Sequence, residues 1–271
     1  MARVPAATAM LVVVWVAIAI AADLQDDTRR AFESYSAQAT KAFLDRVRGG
    51  GTDGHHAAAG AVAPQDGEVI THPANDDGII DVPGGLVHHW FSSTFIAGAS
   101  LRDALEISYD YNNYHSIYKP VLSSRLLSRD GDVYRVLMRI KESGGGLSAV
   151  VDVTARVQYF YPDSGNAYSI SNSEDIREIR NPGTASEHSL PPGHDSGYLW
   201  RAATFTHFVA RDHGVLIESE AIGLSRKFPA MLSWFMEPIA RRVGKNSVDR
   251  SLMEFIVAVK TRSSTAAAKQ H

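Results

Sequence analysis

The chain has 271 residues, 45% hydrophobic and 21% charged, with a formal net charge of -3 and no cysteine. That length buries a sizeable core as one large domain or two small ones. The lack of a basic excess argues against a nucleic-acid partner, which needs clustered Lys and Arg. The lack of cysteine excludes disulfides, thiolate metal sites, a Cys nucleophile and a lipidated Cys, so stability must come from core burial.

Residues 1–22 differ from the rest. Arg3 is a short positive end, "AMLVVVWVAIAIAA" is an unbroken apolar run, and Ala19-Ile20-Ala21 is a small-x-small cleavage site. This is the anatomy of a secretory signal peptide, which implies a periplasmic or secreted protein. The alternative is an uncleaved membrane anchor, because the run nearly suffices to span a bilayer.

Residues 23–66 read as an N-terminal helix and a flexible linker. Leu24, Thr28, Ala31, Phe32, Tyr35, Ala39, Phe43 and Val47 recur at helical spacing. "GGGTDGHHAAAGAVAPQDG" then reads as a linker or long loop. The helix either packs on the domain or acts as a spacer near the membrane, and the pattern does not choose.

From residue 67 the period changes to two. "EVITH" and "GLVHHWFSSTFI" are strand-like, and Ser100 is a suitable N-cap for a helix carrying Leu101, Ala104, Leu105 and Tyr109. "VLSSRLLS" and "VYRVLMRIK" flank Arg129-Asp130-Gly131-Asp132, a tight-hairpin signal. "AVVDVTARVQYFY" alternates, with Val151, Val153, Ala155, Val157 and Tyr159 on one side. "AYSISNSEDIREI" is more polar and is expected near an edge or with a wet outer face. "YLWRAATFTHFVA" and "VLIESEAIGLS" close the set around Arg211-Asp212-His213-Gly214. The end is helical: "AMLSWFMEPIARRV" is expected to break or bend at Gly244, and Ser247 to cap a final helix with Val248, Leu252, Phe255, Ile256 and Val259 on one stripe. Residues 263–271 are expected to be a disordered tail. Six successive strands with short turns make an antiparallel meander, and the last helix must cover one face.

The stretch "RDALEISYDYNNYHSIYKP" resembles the element after the first strand of START-like, helix-grip proteins, also grouped as the SRPBCC or polyketide-cyclase-like superfamily. Asp110-Tyr111, Tyr114, Tyr118 and Pro120 carry that likeness, while His115 stands where the superfamily usually has proline. "VPGGLVHHW", "LLSRDGDVYRV", "PPGHDSGYLWR" and "ESEAIGLSR" resemble uncharacterised exported bacterial members. The resemblance implies an α+β helix-grip fold over residues 67–262: a curved seven-stranded antiparallel sheet wrapped on a long C-terminal helix, with the N-terminal helix as an extra. It also implies a cavity between sheet and helix that holds a hydrophobic small molecule or lipid, and it brings no catalytic residues.

The alternating faces supply the candidate lining. Tyr134 and Met138 line up in one strand, Val153 and Tyr159 in the next, and Trp200, Ala202, Thr204, Thr206 and Phe208 in a later one. Small residues among large rings leave room that a solid core would fill, as in small-molecule pockets. Tyr111, Tyr114 and Tyr118 share a helical face, with Tyr109 off it; the stripe either packs a short helix against the sheet or borders the cavity mouth and touches a ligand. Trp234 and Phe255 come from the C-terminal segment, whose "PAMLSWFMEP" stretch is a candidate gate.

Other constellations are weaker. His88 and His89 point to opposite faces of a strand and cannot readily share an ion, so neither a metal nor any other cofactor is expected. Glu218 and Glu220 read as cross-strand ion pairs on the outer side of the sheet. No Gly-x-Ser-x-Gly or P-loop occurs. The favoured reading is an exported protein that binds an apolar or amphipathic, lipid-like molecule without chemistry. The alternatives are a cyclase/aromatase-type enzyme on a polyketide-like substrate and a non-catalytic envelope interaction protein. Membrane-surface association and oligomeric state stay open.

Overall fold

The computed structural model describes residues 22–49, 64–144, 147–191, 194–228 and 230–268, without the side chains of 22, 23, 144, 147, 230–237, 240 and 266–268. The expected signal peptide, most of the expected linker, Pro229 of the expected gate and the last residues of the tail lie outside this description.

The elements are β1 (Ala22–Asp23), α1 (Asp26–Arg48), β2 (Ile70–Pro73), β3 (Ile79–Val82), β4 (Gly85–Ala97), α2 (Leu101–Tyr109), a 3-10 turn (Tyr111–Asn113) and α3 (Tyr114–Ile117). There follow β5 (Val121–Asp130), β6 (Val133–Gly144), β7 (Leu147–Asp163), β8 (Asn166–Arg180), β9 (His188–Ser189), β10 (His194–Asp195), β11 (Arg201–Arg211), β12 (Gly214–Arg226) and α4 (Ala230–Ala268). The main sheet runs β2-β4-β12-β11-β8-β7-β6-β5, with β3 on β4 and β9 on β8. Its frame is the seven long antiparallel strands β4, β5, β6, β7, β8, β11 and β12, and the first long strand pairs with the last. The hairpin turns fall where the sequence places them, with Gly131 at φ 56° and His213 at φ 64°. Ser100 caps α2 in a reciprocal box with Asp103.

Because successive strand residues face opposite ways, the central strands serve two cores. On the inner face Val136, Val153, Phe208 and Ile217 pack with Leu252, Phe255, Ile256 and Val259 of α4. On the outer face Phe32 and Phe43 of α1 pack with Val87, Phe205, Ile222 and Leu224. This is the helix-grip arrangement, with α1 added on the back of the sheet. It settles the question left open for α1, which docks on the domain: Phe43 lies against Phe205 with ring centroids 5.3 Å apart.

Beside that apolar contact lies a buried ionic cluster. Arg46 of α1 reaches Glu220, His89 Nε2 lies 2.8 Å from the same carboxylate, and the Tyr35 hydroxyl lies 2.7 Å from His89 Nδ1. His207 Nδ1 is 3.3 Å from Glu218. The carboxylates of Glu220 and Glu218 are thus on the outer side and in ion pairs, but only 1% and 3% exposed. Strand pattern alone carries no sign of that burial; over Glu220 it is Arg46 of α1 that closes the site.

One expectation is narrowed and three are corrected. Of the two alternatives for the polar strand β8, the wet outer face holds and the edge does not: β8 is central, between β11 and β7, with Asn172, Glu174 and Arg177 exposed. Gly244 does not break the terminal segment: α4 is a single element of 39 residues with Pro238 inside it. Gly244 instead makes room, since a Cβ there would lie 3.1 Å from the Trp90 indole nitrogen. Ser247 does not cap; its hydroxyl donates to Glu142 at 2.9 Å. Finally, α4 continues through residues 263–268 of the expected tail, a good helix-forming run where the Ser264 and Thr265 hydroxyls donate to carbonyls four residues back. Among the described residues no helix is long and apolar enough to cross a membrane.

The Trp90 indole also abuts Gly78, which has φ +77° and where a Cβ would sit 2.6 Å from the ring. Gly78→Ala combines overpacking with a left-handed backbone and should lower unfolding free energy by roughly 2–4 kcal/mol in urea titrations. Gly98→Ala, at φ +74° with open space around it, should lose only about 1 kcal/mol.

Candidate functional site between sheet and C-terminal helix

The sequence places small and hydroxylated residues on the inner face of the central strands. Ala202, Thr204 and Thr206 of β11 lie opposite Gly223, Ala221 and Ser219 of β12, and Thr204 lies opposite Ser171 of β8. All of these keep partial exposure, although they sit mid-sheet on the side that α4 covers. The flanks are closed: Val151, Val153 and Ala155 on one side and Ile217 and Phe208 on the other are buried. A helix resting directly on the central strands would bury them all, so α4 bridges over them and leaves a space.

Polar contacts pin α4 along its length. Arg241 reaches Asp77 at 2.6 Å, Arg250 reaches Glu142 at 2.6 Å, and Lys260 reaches Asp66 at 2.9 Å. Arg262 pairs with Glu106 of α2. The bridge therefore has supports on the β2–β3 turn, the end of β6, the approach to β2 and α2.

Tyrosines close one end. Tyr111 and Tyr159 meet through their hydroxyls at 2.7 Å, and Tyr159 donates to the Ser108 carbonyl at 3.0 Å. Tyr114 donates to the same carbonyl at 2.7 Å. Tyr118 stands edge-on to Tyr114, and Tyr134 edge-on to Tyr159. Tyr109, expected off this face, stacks on Tyr134 with centroids 5.7 Å apart. Burial pushes the Tyr159 phenol up to about 12 and raises those of Tyr111, Tyr114 and Tyr118 as well. The rings are neutral hydrogen-bonding walls at physiological pH.

Of the expected lining residues, Tyr134, Val153, Tyr159 and Phe255 lie in the inner core, and Tyr114, Tyr118 and Met138 pack against it. Thr204 faces the same space from β11. Trp200 does not join them: it lies in the outer core with Phe43 and Phe205. It sits at a bend just before β11, where strand alternation has not begun, and its Nε1 donates to Asp195 at 2.9 Å. The Trp234 side chain lies outside the described residues. The open choice for β4 is resolved: Trp90 faces α4, while His89 and Phe91 face α1.

Sequence reasoning missed Ser169, Ser171 and Ser173 of β8, and the inward His88. The serines were legible only as polarity, which an edge strand explains equally well. His88 Nε2 lies 2.8 Å from the Ser225 hydroxyl, and burial lowers its pKa to about 4. Among the described residues no group of His, Asp and Glu side chains is placed to hold a metal ion.

The antiparallel sheet and the long helix lying over its partly open inner face form a helix-grip fold. Solved structures similar to this chain include TTHA0849 from Thermus thermophilus, at 10% identity and TM-score 0.46, over 63% of this chain and 96% of that one. Another is a STAR-related lipid transfer protein from Xanthomonas axonopodis, at 15% identity and TM-score 0.40, over 65% and 99%. A third is the Zhui aromatase/cyclase from a Streptomyces species, at 10% identity and TM-score 0.39, over 68% and 96%. No protein-family model and no curated protein matches the sequence.

Two outcomes follow. His88 is neutral in the folded protein down to about pH 4, whereas an unfolded histidine takes up its proton near pH 6.5. Its contribution to stability is intact above pH 6.5 and declines as pH falls toward 4. In denaturant titrations at pH 7 and pH 4.5, His88→Asn should show a smaller acid-induced loss than the wild type. Tyr159→Phe strips partners from Tyr111 and Ser108 and should cost about 1–3 kcal/mol by the same measurement.

Proposed function

We propose that this protein binds an apolar or amphipathic small molecule between the inner face of the sheet and α4, without transforming it. The observation that carries this reading is the partial exposure of Thr204, Ala221 and Ser171 on central strands beneath a helix. Apolar groups surround that strip, with Phe255, Val153 and Met138 within the same cluster. Burying hydrocarbon there contributes about 25 cal/mol per Å² removed from water. The tyrosine end and the strand hydroxyls supply neutral polar groups that orient the molecule.

The pairing of charges at the margins of the space supports a reading without chemistry. Among the described ionisable groups at its margins, Glu142 is paired with Arg250 and Asp249 with Lys245, and His88 is neutral because of its burial. The apolar leader supports export, which makes the periplasm or the exterior the setting in which the ligand is met.

Native mass spectrometry of the purified protein should show an adduct of lipid-like mass that is lost on organic extraction. Thr204→Trp and Ala221→Trp place an indole in the space and should reduce binding of an added fluorescent fatty-acid analogue at least about tenfold, while circular dichroism stays unchanged. Retention of full binding by both variants would overturn the reading.

A further inference from the structure

One hydroxyl stands on each of five neighbouring strands, in register across the inner face. Thr71 of β2 lies opposite Ser92 of β4, Ser92 opposite Ser219 of β12, Ser219 opposite Thr206 of β11, and Thr206 opposite Ser169 of β8. Directly paired residues project to the same face, and strands lie about 4.8 Å apart, so the row spans roughly 19 Å. Its far end meets Tyr159, the partner of Ser169.

None of these five hydroxyls has a hydrogen-bond partner among the described residues, and those of Thr71 and Ser92 are buried in that state. Ser92 is only 3% exposed. Trp90 Nε1, one step along β4 on the same face, is also buried without a partner. Buried polar groups are ordinarily satisfied, and a run of unsatisfied ones calls for an explanation. Thr204 and Ser171, one layer away in the same space, likewise have no partner among the described residues, whereas Ser173 accepts from the Ala202 backbone at 2.9 Å, and Ser108 and Tyr111 bond to Tyr159.

Charge narrows the ligand further. The row itself carries no ionisable side chain. His88, two residues along β4 from Trp90, is neutral because of its burial. The charges of α4 near the sheet are paired with Asp77, Glu142 and Asp249. Among the described residues, no unpaired cation stands on the row to neutralise a carboxylate or a phosphate.

We propose that the space takes an elongated, uncharged amphiphile bearing several hydroxyl or carbonyl oxygens along one edge. That edge lies on the row from Ser92 to Ser169, and the hydrocarbon lies toward Ala202, Ala221 and Phe255. This rests on the binding function proposed above and specifies its ligand class. A fatty acid, polar only at a charged end, leaves most of the row unsatisfied; a ligand with oxygens on one side completes it.

Isothermal titration of the purified, solvent-extracted full chain with two steroid esters tests this. Methyl cholate is uncharged with three hydroxyls on one face; methyl cholanate is the same skeleton with none. Methyl cholate is expected to bind at least about tenfold more tightly. In a Thr206→Val/Ser219→Ala double variant, at two partly exposed positions, that preference should fall below about threefold while methyl cholanate affinity is kept. Equal binding of the two esters by the wild type, or a preference for methyl cholanate, overturns the hydroxyl-row inference and leaves the binding function standing. A preference that survives the double substitution overturns the role of these residues. Failure of both esters and of palmitate to bind removes the binding function and this inference with it.

Discussion

The structure depends on one constraint: the central strands β4, β12, β11 and β8 must satisfy a helix on one face and supply an opening on the other. Period-two alternation lets one strand do both. In β11, Ala203 and Phe205 are committed to α1, while Ala202 and Thr204 look toward α4. In β12, Ile222 and Leu224 pack outward, and Ala221 and Gly223 face the space. A one-residue slip would exchange the two sets and destroy both.

The two faces are polar in opposite ways. The outer face buries full charges, with Glu220 held by His89 and Arg46 beneath α1. Such a network is expensive to desolvate, and removing one partner leaves an uncompensated charge. Its value lies in geometry, because it joins α1 to two strands at one point. The inner face buries neutral hydroxyls and phenols instead, and its charges sit at the edges, where they tie down α4. The helix is held at these supports while the strands beneath it stay partly exposed.

Trp90 shows how tightly the bridge is set. Its indole lies between Gly78 and Gly244, each lacking the Cβ that would collide with it. A glycine inside a helix is unfavourable by roughly 1 kcal/mol relative to alanine; here it permits the approach that fixes the height of α4 over β4. The same residue, read along the chain, looks like a helix breaker.

Much of the architecture was legible in the residues. The α1 periodicity from Phe32 to Phe43, the Asp130-Gly131 hairpin, the Ser100 cap and the alternation through Val151, Val153 and Tyr159 are local signals, and the chain follows them. They determine the antiparallel meander, the two bounding helices and the inward aromatic lining, because backbone geometry ties spacing directly to facing. Tertiary structure alone decided which side of the sheet receives α1, that β8 is central with its serines inward, that Trp200 turns outward, and that Gly244 lies within one continuous helix. The physical reason is that polarity and side-chain size are properties of a residue, whereas strand order and burial depend on which distant segment packs against it.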